Sequence, residues 1–238
     1  MLITIGLDST TLNVDKSNFC LNNIEYFNQS SFLDVFISAS IYREQGNSQE
    51  PFRSRDLARI KLAEPVSEQA EFPFSLVQGG SRFMTPGIQA RLDRISEICY
   101  SGHKYSSLSK KQRDDVRLFE SYVEKGIQYF ITKNKRHFID NNRDSLFETE
   151  FMIKNRLPDS YTWKEIKNQL NYYLVQVNNN PSHDYASIHK SSCSFIRLPE
   201  HTTANTYWSK PFRTYGDSMA FARLKKNKIR NCSFCKPR

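Results

Sequence analysis

Residues 109–131 contain a helix and a strand whose limits can be read from single side chains. Ser109 is followed three residues later by Gln112, which matches the capping box that begins many helices, and Gly126 is the residue type that most often ends one. The five residues that follow, IQYFI at 127–131, are mostly apolar and too few for a helix. The sequence therefore predicts a helix over 110–125 that leads directly into a buried strand.

Two earlier segments show the opposite order, a strand followed by a helix. The run from Leu2 to Leu7 is apolar, rich in β-branched residues and ends at Asp8, as a central strand does. A helix is predicted over 17–29, and a second strand, Val35–Ala39, leads into a predicted helix that contains Glu44. This alternation predicts an α/β fold with a parallel sheet.

The rest of the chain allows a division into domains. Ile88, Leu92, Ile95 and Ile98 recur at helical spacing, and a polar stretch containing Pro181 is typical of a linker. We expect a domain over 1–178, a linker over 179–187 and a small module over 188–238. Within them we also predict helices over 54–63, 162–174 and 217–226 and a strand within 145–153.

The net charge of +9 is concentrated in one part of the chain. Lysine and arginine balance aspartate and glutamate over residues 1–188, whereas residues 189–238 hold 11 basic and 2 acidic residues. Such an asymmetry usually indicates contact with nucleic acid or another anionic surface, and a solvated basic face is the alternative.

Hydropathy and cysteine content indicate the compartment. No run approaches the ~18 apolar residues of a membrane span, and the first residues lack the basic and apolar segments of a signal peptide. We therefore expect a soluble, cytoplasmic protein without membrane contact. Five cysteines, an odd number, do not suggest a disulfide framework, so we expect reduced thiols.

Asp115 is placed unusually for a charge on its predicted helix. Leu118, Phe119 and Tyr122 follow it at helical spacing, so its carboxylate shares their apolar face. Ser109 already takes the capping position, which argues against a cap role for Asp115. An inward carboxylate needs a partner that offsets its desolvation.

Two other acids are candidates to join Asp115. Asp8 ends the first strand and Glu44 follows the second, and ligand sites of parallel sheets lie at the carboxyl ends of strands. Each acid alone has an ordinary structural explanation: a turn, an exposed helix charge or an ion pair. Three together would need a cation, and oxygen ligands favour Mg²⁺ or Mn²⁺, which can activate water against a phosphate.

The basic module contains a second candidate metal site, made of sulfur and nitrogen ligands. His189 and Cys193 are followed by Cys232 and Cys235, a set that tetrahedral Zn²⁺ prefers. Four protein ligands leave no open position, so we expect structural zinc that supplies folding energy. The segment resembles small zinc-binding tails attached to some bacterial nucleases and DNA-repair proteins.

Cations and aromatic residues alternate between the two halves of this zinc motif, a composition that suits single-stranded nucleic acid. The alternative is that the aromatic residues form a small core, which we favour for Trp208 and Phe212. The cations predicted to bind nucleic acid are Lys210, Arg213, Arg223, Lys225, Lys226, Lys228 and Arg230.

Three stretches together resemble the PIN domain, a metal-dependent nuclease fold. They are ITIGLDSTTL near the first acid, DVFISASIYRE near the second, and LSKKQRDDVRLFESYVEKGIQYFITKNKRHF for the third acid, helix and closing strand. The resemblance covers about residues 1–175 and implies a three-layer α/β/α fold with a central parallel sheet. It implies that Asp8, Glu44 and Asp115 are catalytic metal ligands and that Thr132 and Asn134 border the site.

The resemblance implies a metal-dependent endonuclease, RNA favoured over DNA, with a homodimer or an antitoxin as candidate protein partners. Many PIN domains carry a fourth acid after the closing strand, whereas this chain has Thr132, Lys133 and Asn134 there. His137 stands where some members place this acid slightly later, and Asp140 is a candidate substitute. That departure leaves two alternatives open. One is a PIN-fold nucleic-acid-binding or scaffold protein with weakened catalysis, and the other is a DNA-directed nuclease of a defence system.

Overall fold

The computed structural model describes residues 2–12, 18–38, 64–66, 68–69, 81–82, 85–196, 203 and 205–237. The chain divides into two compact units. The first unit comprises Met1–Asn18 and Leu33–Pro158, and the second comprises Phe19–Phe32 and Asp159–Arg238. The predicted helix over 54–63 and the predicted helix containing Glu44 lie outside the described residues.

A parallel sheet forms the centre of the first unit. Its strands follow the order β3-β2-β1-β6-β7, and every neighbouring pair is parallel. The predicted α/β class with a parallel sheet is thereby confirmed. The strands are β1 (Ile3–Leu7), β2 (Leu33–Ser38), β3 (Glu64–Val66), β6 (Tyr129–Ile131) and β7 (Lys154–Arg156), and a separate parallel pair consists of β4 (Glu68–Gln69) and β5 (Ser81–Arg82).

The helix predicted over 110–125 is confirmed with both of its ends. Ser109 and Gln112 form the capping box in both directions, and Gly126 ends the helix with φ of 70° in the left-handed region. The described helices of the first unit are α1 (Ser9–Leu12), α3 (Pro86–Cys99), α4 (Lys110–Lys125), α5 (Lys135–Phe138) and α6 (Arg143–Phe151), with a 3₁₀ turn at Tyr105–Ser107.

The side chain of Tyr122 in helix α4 packs directly on strand β1 at Gly6. A Cβ atom on Gly6 would lie 2.5 Å from Cδ1 of Ile127 and 3.1 Å from the ring of Tyr122, so a larger residue there would force one of these side chains to move. The buried Tyr122 hydroxyl donates to the carbonyl of Leu7 at 2.7 Å and accepts from the amide of Ser38 at 3.1 Å. These bonds fix α4 against the carboxyl ends of β1 and β2.

The predicted strand within 145–153 is wrong, because residues 143–151 form helix α6 and the strand β7 begins only at Lys154. Phe147 and Phe151 are four residues apart, and both pack around Phe119 of α4, at ring distances of 4.5 and 6.4 Å. Helical spacing lets both rings reach this aromatic core, which outweighs the weak alternation in the sequence.

The second unit contains a mixed four-stranded sheet of order β10-β8-β9-β11. β8 is antiparallel to β9 and β10, and β11 is parallel to β9. Its elements are α2 (Phe19–Gln29), α7 (Ser160–Lys167), β8 (Tyr173–Asn178), a 3₁₀ turn (Pro181–His183), β9 (Tyr185–Lys190), β10 (Thr206–Trp208), α8 (Tyr215–Lys225) and β11 (Ile229–Asn231).

The division into units differs from the predicted domains, because Phe19–Phe32 and residues 159–178 belong to the second unit and the predicted linker over 179–187 lies inside it. That stretch connects β8 to β9, which are hydrogen-bonded neighbours in one sheet, so it is a hairpin loop within the second unit. Asn180 caps the 3₁₀ turn by accepting from the amide of Ser182 at 3.1 Å. The helix predicted over 162–174 is observed as α7, which ends at Lys167. It is shorter than predicted because Tyr173 already belongs to strand β8 of the hairpin.

One face of the second unit's sheet is covered by helix α8. The core between this sheet and α8 consists of Val175, Val177, Ala186, Ile188 and Ala222, all buried. A second cluster lies where α2 meets α7, with the ring of Phe27 5.2 Å from Trp163. Within the described parts of both units, no helix is both long enough and apolar enough to span a bilayer.

Candidate functional site

Asp8 lies at the carboxyl end of β1, the central strand of the parallel sheet. Its side chain is buried, and its Oδ2 accepts hydrogen bonds of 2.6 Å from Thr10 and from Thr132. Its backbone amide donates to the carbonyl of Ile131 at 3.1 Å, which continues the pairing of β1 with β6. The strand predicted over 127–131 is observed as β6, at Tyr129–Ile131, and is a parallel neighbour of β1.

The polar end of β6 is built around the buried hydroxyl of Thr132. This hydroxyl donates to Asp8 and accepts from the backbone amide of Asn134 at 2.9 Å. The Nδ2 atom of Asn134 lies 3.2 Å from Nδ1 of His137. One hydroxyl therefore holds both the carboxylate and the turn that follows the strand.

Asp115 has a hydroxyl partner in place of a cation. The hydroxyl of Tyr100 donates to its Oδ2 at 3.0 Å, and Nδ1 of His137 lies 4.0 Å from the same oxygen. The rings of Tyr100 and His137 pack 4.7 Å apart. The neighbouring Asp114 forms an ion pair with Arg117, so the two aspartates differ in surroundings, as the helical spacing predicts.

The surroundings of Asp115 disfavour the charged form of its carboxylate. Burial raises its pKa to about 6, and the charge of Asp8 acts in the same direction, whereas the hydrogen bond from Tyr100 opposes the shift. Burial and the charges of Arg136, Arg143 and Lys111 lower the pKa of His137. The ring therefore offers little positive charge to the acid near neutral pH. We call Asp8, Tyr100, Asp115, Thr132, Asn134 and His137 the acid site.

Two predicted members of the acid site need separate comment. Glu44 lies outside the residues that the structure describes. Asp140, considered as a substitute for the absent fourth acid, has its carboxylate 3.5 Å from Nζ of Lys135. Of the predicted metal-binding acids, Asp8 and Asp115 are therefore the two that the structure describes, and the charge of Asp8 raises the pKa of Asp115.

A polar cavity adjoins the acid site. Its volume is about 650 Å³, and Tyr100 and His137 belong to its lining together with Arg136, Arg143 and His103. Arg143 is tied to the carbonyls of Ile98, Arg136 and Asp140, so it holds the wall of the cavity in place. Arg136 is exposed and lends the cavity a positive charge that suits an anion.

The four predicted zinc ligands meet in the second unit. Their ligand atoms all lie within 4.8 Å of one another, and all four side chains are buried. His189 lies in β9 and Cys232 directly follows β11, and these parallel neighbours bring the two halves of the motif together. We call His189, Cys193, Cys232 and Cys235 the Cys/His cluster, which could hold a metal such as zinc.

The donor atoms of the cluster fit a metal ion better than they fit one another. Nδ1 of His189 lies 3.2 Å from Sγ of Cys193, so this nitrogen faces the thiols of the cluster, and imidazole nitrogen with thiolate sulfur is a donor set that Zn²⁺ prefers. Burial lowers the pKa of His189 to about 4, which keeps the ring in the neutral form that binds metals. Sγ of Cys193 lies 3.8 Å from Sγ of Cys232, as expected for free thiols.

The basic residues of the second unit are not all free for a ligand. Lys226 pairs with Asp184, and Arg213 donates to the carbonyl of Ser31. Arg230 lies over the ring of Tyr185 at 3.4 Å but is exposed and can still meet a ligand. The remaining predicted contacts, Lys210, Arg223, Lys225 and Lys228, are exposed.

The aromatic residues of the second unit divide between core and cluster. The prediction that Phe212 belongs to the core is confirmed. Its ring packs 5.3 Å from that of Phe221, and its side chain contacts the buried core beneath α8. Trp208 packs instead on His189, at a ring distance of 5.1 Å.

Two residues of the acid site were not predicted as site residues. Tyr100 directly follows α3 and belongs to no motif, and His137 was noted only for standing where an acid would be expected. Only the packing of α3 beside α4 brings Tyr100 to Asp115. Comparisons with protein-family models, with curated proteins and with solved structures returned no match to this chain.

Proposed function

We propose that this chain is a metal-dependent endonuclease with a PIN-like three-layer α/β/α domain, acting on RNA in preference to DNA. The observation that carries the proposal is the pair of carboxylates at the carboxyl edge of the parallel sheet. Asp115 is held there with a pKa of about 6 by burial and by the charge of Asp8. A carboxylate with a raised pKa beside a second acid and near a polar cavity is typical of catalytic sites.

In this proposal Asp8, Asp115 and Glu44 hold Mg²⁺ or Mn²⁺. The donor set fits, because oxygen ligands select these ions and a cation would offset the repulsion between the acids. The bound ion would activate water and stabilise the charge that develops on the phosphate. The protein's own residues orient the ligands: Thr10 and Thr132 hold one oxygen of Asp8, and Tyr100 holds one oxygen of Asp115.

The second unit would contribute affinity for the substrate. Zinc in the Cys/His cluster would fix the loops after β9 and β11, and the exposed cations would contact phosphates. The preference for RNA follows from the resemblance to PIN domains that process RNA.

Cleavage of end-labelled RNA and DNA by the purified chain, with and without Mg²⁺ or Mn²⁺, tests the proposal. We expect Asp8→Asn and Asp115→Asn each to lower the rate by about 100-fold or more, because each removes a charged ligand. Asp114→Asn is the matched control, since Asp114 is adjacent in sequence but pairs with Arg117 on the exposed side. Cleavage that survives both substitutions, or that needs no divalent ion, would contradict the proposal.

A second candidate function is a nucleic-acid-binding or scaffold protein with weakened catalysis. The observation that favours it is the end of β6, where Asn134 stands in place of a fourth acid and bonds to His137. Among the described residues, moreover, the acid site supplies two carboxylates and only the Cys/His cluster gathers three or more candidate metal ligands. Binding of RNA without measurable cleavage in Mn²⁺ would favour this candidate, and cleavage confined to DNA would favour the defence nuclease.

A further inference from the structure

The second unit's sheet has a face that helix α8 does not cover. The strand register aligns Trp208 with Gln176, Gln176 with Ser187, and Ser187 with Arg230. These four residues form one row across β10, β8, β9 and β11, on the opposite side from Val175, Val177, Ala186 and Ile188 of the core. A row of an aromatic, an amide, a hydroxyl and a guanidinium is chemically unlike a face meant for a core.

Two exposed phenylalanines lie at the end of this face that is nearest the Cys/His cluster. The side chains of Phe195 and Phe234 are 48% and 72% exposed, and their rings pack 4.3 Å apart. Each follows a cysteine of the cluster by two residues, in the repeated sequence Cys-Ser-Phe. The loops that hold the cluster therefore also present a pair of aromatic rings to solvent. Exposed apolar groups gathered in this way commonly mark an interaction site.

A cavity connects the phenylalanines to the row. Its volume is about 360 Å³, and its lining includes Phe195, Phe234, Gln176, Ser187 and Arg230, together with His189 and Cys232 of the cluster. This volume lies near the lower end of the ~300–1,000 Å³ found for small-ligand sites, and a base with its sugar fits within it. Of the two phenylalanine rings that line it, Phe234 is the more exposed.

The polar groups of the cavity are oriented for a ligand. Arg230 donates from Nε to the hydroxyl of Ser187 at 2.9 Å and lies over the ring of Tyr185, which holds its guanidinium in one place. Within the part of the chain that the structure describes, no hydrogen bond engages the side-chain amide of Gln176. That amide offers an NH₂ donor group beside an acceptor oxygen, the pattern that reads the edge of a base.

We propose that this surface binds single-stranded nucleic acid, with one unpaired base stacked on Phe195 and Phe234. Gln176 contacts the edge of the base and Arg230 contacts an adjoining phosphate. A base held in a duplex does not expose its faces, so the ligand is a single strand. The excess of 11 basic over 2 acidic residues in positions 189–238 favours a polyanion over an apolar protein segment. This inference deepens the proposed function by naming the substrate class, and rests on it for a nucleic-acid ligand.

Fluorescence anisotropy with labelled oligonucleotides tests the site on the full chain, in buffer without Mg²⁺ or Mn²⁺ so that no cleavage occurs. We expect the double variant Phe195→Ala, Phe234→Ala to bind a single strand about tenfold more weakly or worse, because a stacked base is lost. Tyr161→Ala is the matched control, since Tyr161 is an aromatic residue of the same unit that is 82% exposed. Phe234→Trp should retain binding because it preserves the stacking surface.

The affinities of different oligonucleotides for the unchanged protein test the stacking site without any variant. An abasic strand of equal length should bind about tenfold more weakly than a base-bearing strand, and a duplex should bind more weakly than either of its strands. Arg230→Gln should reduce the slope of log affinity against log salt by about one, whereas the phenylalanine variant should leave that slope unchanged.

Equal binding of abasic and base-bearing strands, or of duplex and single strands, would overturn the inference. So would a double phenylalanine variant that retains its zinc and binds like the unchanged chain. The nuclease proposal fails separately: a chain that loses strand binding with the phenylalanines but never cleaves would uphold this site and refute the catalytic one.

Discussion

At the scale of residues, the acid site is held by neutral groups. Thr132 and Tyr100 donate hydrogen bonds to the two carboxylates, and among the described residues no arginine or lysine forms an ion pair with either. A structural aspartate inside a helix is usually paired with a cation. An acid that is left with its charge uncompensated destabilises the fold, which is a cost that functional sites commonly carry.

The unfavourable burial of the Asp115 charge predicts how the stability of the metal-free protein depends on pH. The pKa of Asp115 is raised from 3.8 to about 6, so the folded state binds more protons than the unfolded state between these values. Stability contributed by this group is therefore present at low pH and lost as pH rises through about 6. We expect metal-free Asp115→Asn to be more stable than the unchanged chain by about 1–2 kcal/mol near neutral pH, with a smaller difference near pH 4.

Urea unfolding of the metal-free proteins at several pH values measures this difference. Asp114→Asn serves as the control, because that exposed carboxylate forms an ion pair on the helix surface and should bring no comparable gain. An Asp115→Asn protein that is less stable than the unchanged chain at every pH would contradict the prediction.

At the scale of elements, the position of the acid site depends on how closely helix α4 packs on strand β1. Asp115 belongs to α4 and Asp8 directly follows β1, so the spacing of these two elements sets the spacing of the acids. Gly6 and the hydroxyl of Tyr122 fix that spacing, the first by leaving room and the second by bonding to the strand end.

Replacement of Gly6 by alanine should therefore disturb both stability and the site. The added Cβ atom would lie 2.5 Å from Ile127, a distance that forces the helix or the side chain to move. We expect a loss of about 1–3 kcal/mol in the free energy of unfolding, as is usual for overpacked cores.

The matched control for this prediction is Gly87→Ala in helix α3. The nearest atom to a Cβ there is 4.0 Å away, so the substitution adds a methyl group without a clash. Thermal or urea unfolding compares the two variants. If Gly6→Ala proves as stable as Gly87→Ala, the close approach of α4 to β1 does not constrain the fold.

At the scale of the whole molecule, the two units depend on different sources of stability. The first unit has a cluster of aromatic rings around Phe119, whereas the sheet of the second unit has a small core beneath α8. The Cys/His cluster joins the segments that follow β9 and β11. A bound metal would link these segments and supply folding energy to the second unit.

Removal of zinc should accordingly affect the second unit and spare the first. We expect about one zinc per chain after purification under reducing conditions, and we expect Cys232→Ser to abolish retention of the metal. Hydrogen exchange should then speed up in β9 and β11 while protection of β1 and β6 persists. Cys99→Ala is the control, because Cys99 is buried in the first unit and should not change the zinc content.

A zinc content near zero, or loss of protection in both units together, would contradict this prediction. The second outcome would mean that the metal supports the chain as a whole.

Much of the first unit could be predicted from local signals. The capping box at Ser109, the stop at Gly126 and the apolar strands each depend on neighbouring residues alone, and the structure has them where they were expected. The helix at 143–151 was missed because its apolar residues are chosen by an aromatic core formed from distant parts of the chain. The hairpin around residue 180 was missed because a polar loop between paired strands has the same composition as a linker.

The sequence by itself determined which side chains are available: an inward Asp115, an Asp8 at a strand end, and four soft ligands in two pairs. Only the tertiary structure decided what surrounds them, since Tyr100 and Asp115 lie on separate helices and Phe195 and Phe234 are 39 residues apart in the chain. The physical reason is that spacing along the chain specifies which face of a helix or strand a residue occupies, whereas packing between elements specifies its partners.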